Sequence, residues 1–293
     1  YRIIYSGGGM VALKTFRLLK MGLSTVLGIR RQGFFIPYRY AEKVPQQNDQ
    51  PPYSHVENIF DNSRHIFKEQ IALINQYTNE LRRIGPDNPP QPRWNQSWFP
   101  ALDGAIAYIM VRQHAPKNII EVGSGHSTRF MARAVADGLL GSKITAIDPA
   151  PRASIEGLNL EISNTTVQGI DISFFDLLIP GDILFIDSSH IMMPGTDVDF
   201  LFNRVLAKLP VGVIVHIHDI FLPEDYPESW QWRGYNEQLA VAALLQGKGF
   251  DVLFSSHYVA TRMGETLQGT LLAELERPDS LFETSLWLKK SSN

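Results

Sequence analysis

The chain has 293 residues, 44% of them hydrophobic, and its 27 Lys and Arg stand against 30 Asp and Glu, a net charge of −3. That is apolar material for one large or two modest domains with a real core, and it lacks the basic excess of a protein built to grip nucleic acid, so the expected partner is a small molecule. With no cysteine, disulfide frameworks, thiolate metal sites and cysteine nucleophiles are excluded.

The chain opens on Tyr1 rather than Met, so a targeting signal ahead of it would not be seen. The cytoplasm is the expected compartment, although the lack of thiols suits either redox environment. Met10 to Leu27 comes nearest to a membrane span, but Lys14, Arg17 and Lys20 interrupt it at helical spacing, so it reads as an amphipathic helix rather than a transmembrane segment. Such a helix could make a peripheral membrane contact, with Phe16, Leu19, Leu23 and Leu27 inserted and the lysines and arginines on the surface. The favoured expectation is that it packs on its own domain or on a sister subunit of a homo-oligomer, because helices of this length commonly bury their stripe within the protein. Gly33 to Tyr40 is too aromatic for a floppy linker. From Val56 to Ile84 apolar residues recur near the helical period and predict one long helix, stopped by Gly85-Pro86. The Pro-rich stretch 85–92 is the boundary candidate. Residues 1–97 are thus expected to form a helical N-terminal extension, and 98–293 the main domain.

Beyond Trp98, short apolar runs alternate with helical segments. Strands are predicted at Asn118–Val122, Lys143–Ile147, Asn164–Gln168, Asp182–Ile186, Val213–Ile217, Asp251–Ser255 and Thr270–Leu275. Helices are predicted at Ser127–Ala136, Thr196–Leu209 and Asn236–Gln246, with Thr196 and Asp199 in capping-box positions. Strands alternating with helices imply crossover connections, so the fold class is α/β with a mostly parallel sheet.

Gly123-Ser124-Gly125 follows the first of these strands and opens a helix, a turn that lets a ligand approach the backbone and the unpaired N–H groups behind it. The second strand ends in Asp148, placed to accept both hydrogens of a ribose diol. These features suit a nicotinamide nucleotide or S-adenosylmethionine. A dinucleotide fingerprint wants a third glycine where this chain has Thr128, and Glu121 would repel a pyrophosphate while attracting a sulfonium cation.

The ordered set Glu121-Val-Gly-Ser-Gly-His-Ser127, Ile147-Asp148, Phe185-Ile-Asp-Ser-Ser-His190 and His218-Asp-Ile resembles the class I S-adenosylmethionine-dependent methyltransferases, and more narrowly their small-molecule O-methyltransferase branch. The resemblance covers residues 98 to 276. It implies a doubly wound, Rossmann-like seven-stranded sheet whose last strand, here near Thr270 to Leu275, inserts antiparallel. It places Glu121, Gly123 and Gly125 around the methionine part of the cofactor, Asp148 on the ribose and Asp171 on the adenine side. The cofactor-binding set it implies is Glu121, Gly123, Ser124, Gly125, His126, Ser127, Asp148, Asp171 and Asp187.

Two further strands end in chemistry: Asp187-Ser-Ser-His190 and His216-Ile-His218-Asp219. In an open parallel sheet both clusters face the crevice at the carboxyl ends of the strands. Three readings stand side by side. Asp187, His218 and Asp219, with or without His190, could ligate a divalent cation such as Mg that lowers an acceptor's pKa; His190 or His218 could be a metal-free catalytic base; or the residues are structural, as His216 is expected to be. Leu222 to Glu237, rich in aromatics, acids and proline, is read either as a substrate lid or as a loop packed on the extension. The function expected is methyl transfer to a hydroxyl of a small metabolite. Its rivals are a nicotinamide-dependent oxidoreductase and a catalytically silent methyltransferase-like binding protein.

Overall fold

The computed structural model describes residues 7–45, 50–151, 153–275 and 281–292, with side chains from residue 16 onward. The chain divides into two compact units, Tyr1–Gln50 with Tyr226–Gly234, and Pro51–Asp225 with Tyr235–Asn293. The division falls at Gln50 rather than at residue 97, because the helices between them bury Val56, Phe60, Phe67 and Ile74 in the same core as the sheet.

The first unit contains α1 (Gly7–Val26) and a 3-10 turn, Ala41–Lys43. The apolar stripe of α1 is exposed in this chain at Phe16, Leu19, Leu23 and Val26, as is Leu27 just beyond it. The side chains of Met10 and Lys14 lie outside the described residues. The unit also holds the 3-10 segment Glu228–Arg233, in which the Arg233 guanidinium stands 3.9 Å above the Trp230 ring. Among the described residues no helix is long and apolar enough to cross a membrane.

The second unit starts with α2 (Ser54–Asn62), α3 (Arg64–Gln76) and the single turn α4 (Thr78–Leu81). The expected single helix is broken at Ser63 and Tyr77, where the backbone leaves helical geometry; Ser63 Oγ donates back to the Ile59 carbonyl at 2.9 Å. These helices pack through Phe60 and Phe67 against Tyr258 and Phe254.

α5 (Ala101–His114) follows, apolar on all sides and buried from Leu102 to Val111, which is why no amphipathic stripe announces it. The chain then alternates β1 (Asn118–Val122), α6 (His126–Asp137), β2 (Lys143–Ile147), β3 (Glu161–Ser163), β4 (Ile183–Ile186), α7 (Asp197–Phe200), β5 (Ile214–Ile217), α8 (Glu237–Gln246), β6 (Phe250–Ser255), α9 (Ser256–Arg262) and β7 (Leu286–Lys290). Thr196 caps α7 by accepting the Asp199 amide at 3.3 Å, the first half of the predicted capping box, whereas Asp199 Oδ2 accepts the Gly195 amide at 2.8 Å in place of the Thr196 amide. The helix it starts then widens into a π turn over Leu201–Val205 and tightens over Leu206–Lys208.

The sheet order is β3-β2-β1-β4-β5-β7-β6, with β7 antiparallel to both neighbours and the other pairings parallel. The α/β class and the inserted antiparallel strand therefore hold, with two elements displaced. Thr270–Leu275 is not a strand: Leu271–Glu274 forms a 3-10 turn capped by Thr270, and the inserted strand is Leu286–Lys290. Asn164–Gln168 likewise lies beyond the short edge strand β3.

Candidate active site

β1 and β2 end side by side, and Asp148 bridges them to the glycine turn. Its Oδ2 accepts the Ser124 amide at 2.7 Å and the Ser124 hydroxyl at 3.0 Å, and its Oδ1 accepts the Ala150 amide at 2.8 Å. Gly123 takes a left-handed φ of +84°, and a Cβ there would lie 1.8 Å from the Asp187 carbonyl oxygen, so the turn after β1 and the tip of β4 touch through backbone alone. Gly125 is extended, φ 172°, and an added Cβ would meet nothing nearer than Ala153 Cβ at 4.0 Å. The glycine that the protein's own packing demands is Gly123; the open face belongs to Gly125.

Glu121 does not point a free carboxylate at a ligand. It is fully buried, and its two oxygens accept the Ser127 and Thr128 hydroxyls, each at 2.6 Å. Thr128 Oγ1 also accepts the Gly125 amide at 2.9 Å. The residue standing where a dinucleotide fingerprint has its third glycine thus laces β1, the turn and α6 together. Burial pushes the Glu121 pKa up to about 8 despite the two hydroxyls, which favour its charged form. His126, first residue of α6, has its pKa lowered to about 4 by burial and by Arg129 and Arg93. Asp171 is exposed and spends one oxygen on the Ser173 amide and hydroxyl, at 2.9 and 2.7 Å, capping a 3-10 turn.

The tips of β4 and β5 bring together what the sequence placed at strand ends. His190 Nε2 lies 3.3 Å from Asp187 Oδ1 and 3.3 Å from Asp219 Oδ2, and its Nδ1 lies 2.8 Å from Glu237 Oε2 at the start of α8. The main chain holds the ring in place: His190 and Asp219 both have left-handed φ, 60° and 57°, and the His190 carbonyl accepts the Asn236 amide at 3.1 Å. Burial alone would lower the His190 pKa, but Asp219, Asp187 and Glu237 raise it well above 6.5. Against burial, His218 and His190 hold Asp187 well below the ordinary carboxylate range.

His218 sits beside this group, Nε2 3.7 Å from Asp219 Oδ1 and ring centroid 5.2 Å from Phe99. Its pKa is lowered by burial and raised, in net, by Asp187, Asp219 and Asp103. His216 is a core residue, stacked 3.6 Å from Phe185 with Nε2 2.9 Å from Ser285 Oγ, and burial holds its pKa well below 6.5.

In this arrangement the His190 ring stands between the Asp187 and Asp219 carboxylates, where its protonated form relieves their repulsion, and among the described residues no group of three His, Asp or Glu is disposed to hold a metal.

Two residues escape the sequence pattern. Glu237 reads there as part of the aromatic loop, whereas it is fully buried behind His190 with Oε1 lacking a hydrogen-bond partner. Asp103 is fully buried in α5, accepting the Thr284 and Ser285 amides at 3.0 Å each, and burial raises its pKa. A lone acid inside an otherwise apolar helix is the signal available for both.

Residues 120–220, from β1 to just past β5, match the family model described as a methyltransferase domain. No curated protein matches the chain. Among solved structures, an SAH-bound methyltransferase of Podospora anserina is 15% identical with a TM-score of 0.42, covering 89% of this chain and 100% of its own. An O-methyltransferase of Bacillus cereus in complex with SAH is 14% identical at a TM-score of 0.41, covering 76% and 91%. The O-methyltransferase TomG of Streptomyces achromogenes, involved in tomaymycin synthesis and solved with SAM, is 15% identical at 0.42, covering 77% and 90%. The sheet order and the inserted antiparallel β7 thus go with a match over β1 to β5, where residues 120–220 are similar to a methyltransferase domain.

Proposed function

We propose that the domain uses S-adenosylmethionine to methylate a hydroxyl oxygen of a small molecule, and that His190 accepts the hydroxyl's proton. The observation that carries this reading is the seat of His190, with carboxylates 3.3 Å away on two neighbouring strand tips and Glu237 2.8 Å behind it. Gly125 leaves its backbone face open to the cofactor, and Asp148, anchored by Ser124, has lone pairs left for a ribose diol. When bound, S-adenosylmethionine supplies a methyl group on a cationic sulfur. The protein's own task is to aim the acceptor oxygen and take its proton as the O–C bond forms and the C–S bond breaks. Glu237 fixes the orientation of the imidazole through Nδ1, leaving Nε2 for that proton.

The nicotinamide rival is disfavoured by β7, since the dinucleotide fold runs six strands parallel, and by Thr128, whose hydroxyl is tied into the turn. A silent scaffold would bind cofactor and turn over no hydroxylated acceptor.

The three carboxylates favour the protonated His190 ring, so the neutral ring that can act as base grows in as pH rises. The rate should therefore climb through pH 7, with its ascending limb displaced above 6.5. His190→Gln should lose about 100-fold in kcat together with that limb, whereas His218→Gln keeps the limb. A His190→Gln enzyme with the parent's pH–rate profile would place the proton acceptor elsewhere.

A further inference from the structure

We propose that residues 16–45 form a docking surface for an anionic lipid bilayer. α1 is turned inside out relative to an ordinary amphipathic helix. Phe16, Leu19, Leu23, Val26 and Leu27 recur at three- and four-residue spacing and make one stripe, yet their exposures run from 52% at Leu23 to 68% at Phe16 and Leu27. The half-buried residues of α1 are Met21, Ser24 and Thr25, two of them polar. Thr25 accepts the Gln32 amide at 2.9 Å and Ser24 donates to the Arg30 carbonyl at 3.1 Å, folding residues 30–32 back on the helix. The apolar stripe is thus not what holds the segment together. It continues through Ile29 and Phe35, 75% and 71% exposed, into the aromatic run that ends at Tyr40.

Charge selects the occupant. Arg17, Lys20, Arg30, Arg31, Arg39 and Lys43 face a single acid, Glu42, giving these thirty residues a net +5 in a chain whose whole charge is −3. All six cations are exposed. Arg31 lies 4.8 Å from the centroid of Phe34, and Arg39 5.5 Å from that of Tyr40. Rings and guanidinium groups at one level match the headgroup zone, where aromatics reach the acyl boundary and cations meet lipid phosphates. A second copy of this chain would set the same positive face against itself, which like-charge repulsion opposes. Spanning is not available, since no described helix is long and apolar enough. The segment is built to lie on a negatively charged surface.

Co-sedimentation of the full chain with vesicles tests this, comparing phosphatidylcholine alone with phosphatidylcholine mixed with phosphatidylserine. Binding to the mixed vesicles should be at least about tenfold tighter and should weaken with added salt. Arg30→Glu with Arg31→Glu, and separately Leu23→Ser with Phe35→Ser, should each cut it about tenfold or more while leaving the thermal midpoint unchanged. Equal binding of the parent to both vesicle types overturns the proposal, as does retention by either double variant. A chain that ignores vesicles but self-associates in sedimentation equilibrium assigns the face to a second copy instead.

Discussion

At the scale of single residues, Gly123 and Gly125 look alike in sequence and do opposite things. Gly123→Ala would force a Cβ to 1.8 Å from the Asp187 carbonyl in a left-handed backbone, so a loss of about 3 kcal/mol or more in folding free energy is expected by chemical denaturation. Gly125→Ala should keep the parent's thermal midpoint within a few degrees and weaken S-adenosylhomocysteine by at least about tenfold in calorimetry, since the new methyl points into open space on the face proposed for the cofactor. If Gly125→Ala binds as the parent does, the cofactor does not approach this turn. Glu121 supplies a pH signature. Its folded pKa, about 8, lies above the 4.5 of an ordinary glutamate, so between these values the unfolded chain binds fewer protons and stability falls as pH rises. The slope from this one group approaches roughly 1.4 kcal/mol per pH unit, with its full benefit present only below pH 4.5. Glu121→Gln should flatten the decline between pH 5.5 and 7.5 in urea titrations, and parallel curves for the two proteins would show that the carboxyl is ionised in the fold. The convergence of Asp187, His190, His218 and Asp219 was legible because strand-tip residues of a parallel sheet share one crevice. Glu237 was not, because 47 residues separate it from His190 and only the packing of α8 brings them together.

At the scale of elements, the central strands were readable to the residue. β1 and β2 are short, mainly apolar segments whose limits agree with the sequence expectation, because a strand covered on both faces carries its signal without strict alternation. The edges and the insertion were less legible. β3 is only three residues long, and β7 ends in Lys289 and Lys290, which look like surface. Lys290 is nevertheless buried, its ammonium 3.3 Å from the Leu206 carbonyl and 4.9 Å from the Phe250 ring centroid. Thr270 to Leu275 has a strand's composition, but Thr270 Oγ1 accepts the Leu272 amide at 3.2 Å and starts a 3-10 turn. What anchors β7 is Trp287, fully buried with its ring centroid 4.7 Å from His216 and 5.8 Å from Phe185. Trp287→Ala should cost about 3–5 kcal/mol, read as a lowered denaturation midpoint, by opening a cavity beside Phe185 and His216. A loss below about 1 kcal/mol would mean that the inserted strand is held by its ladder alone.

At the scale of the whole molecule, the ligand a methyltransferase fold selects can be read from stability. S-adenosylhomocysteine at one hundred times its dissociation constant should add about 2.7 kcal/mol, and NAD should add nothing. Stabilisation by NAD instead would restore the oxidoreductase reading. Activity should also survive exhaustive EDTA treatment, because the imidazolium of His190 already stands between Asp187 and Asp219. Loss on chelation with recovery on adding Mg would mean that the ring moves aside for a cation. One contact then ties the two halves of the reaction into a single thermodynamic system. The glycine turn at Gly123, the proposed cofactor turn, rests on the backbone of Asp187, whose side chain reaches His190, with the Asp187 amide bound to the Val122 carbonyl at 2.9 Å. Close-packed backbone cannot yield at one end without displacing the other. S-adenosylhomocysteine and the acceptor should therefore bind cooperatively, and reciprocity requires each to sharpen the other's dissociation constant by the same factor.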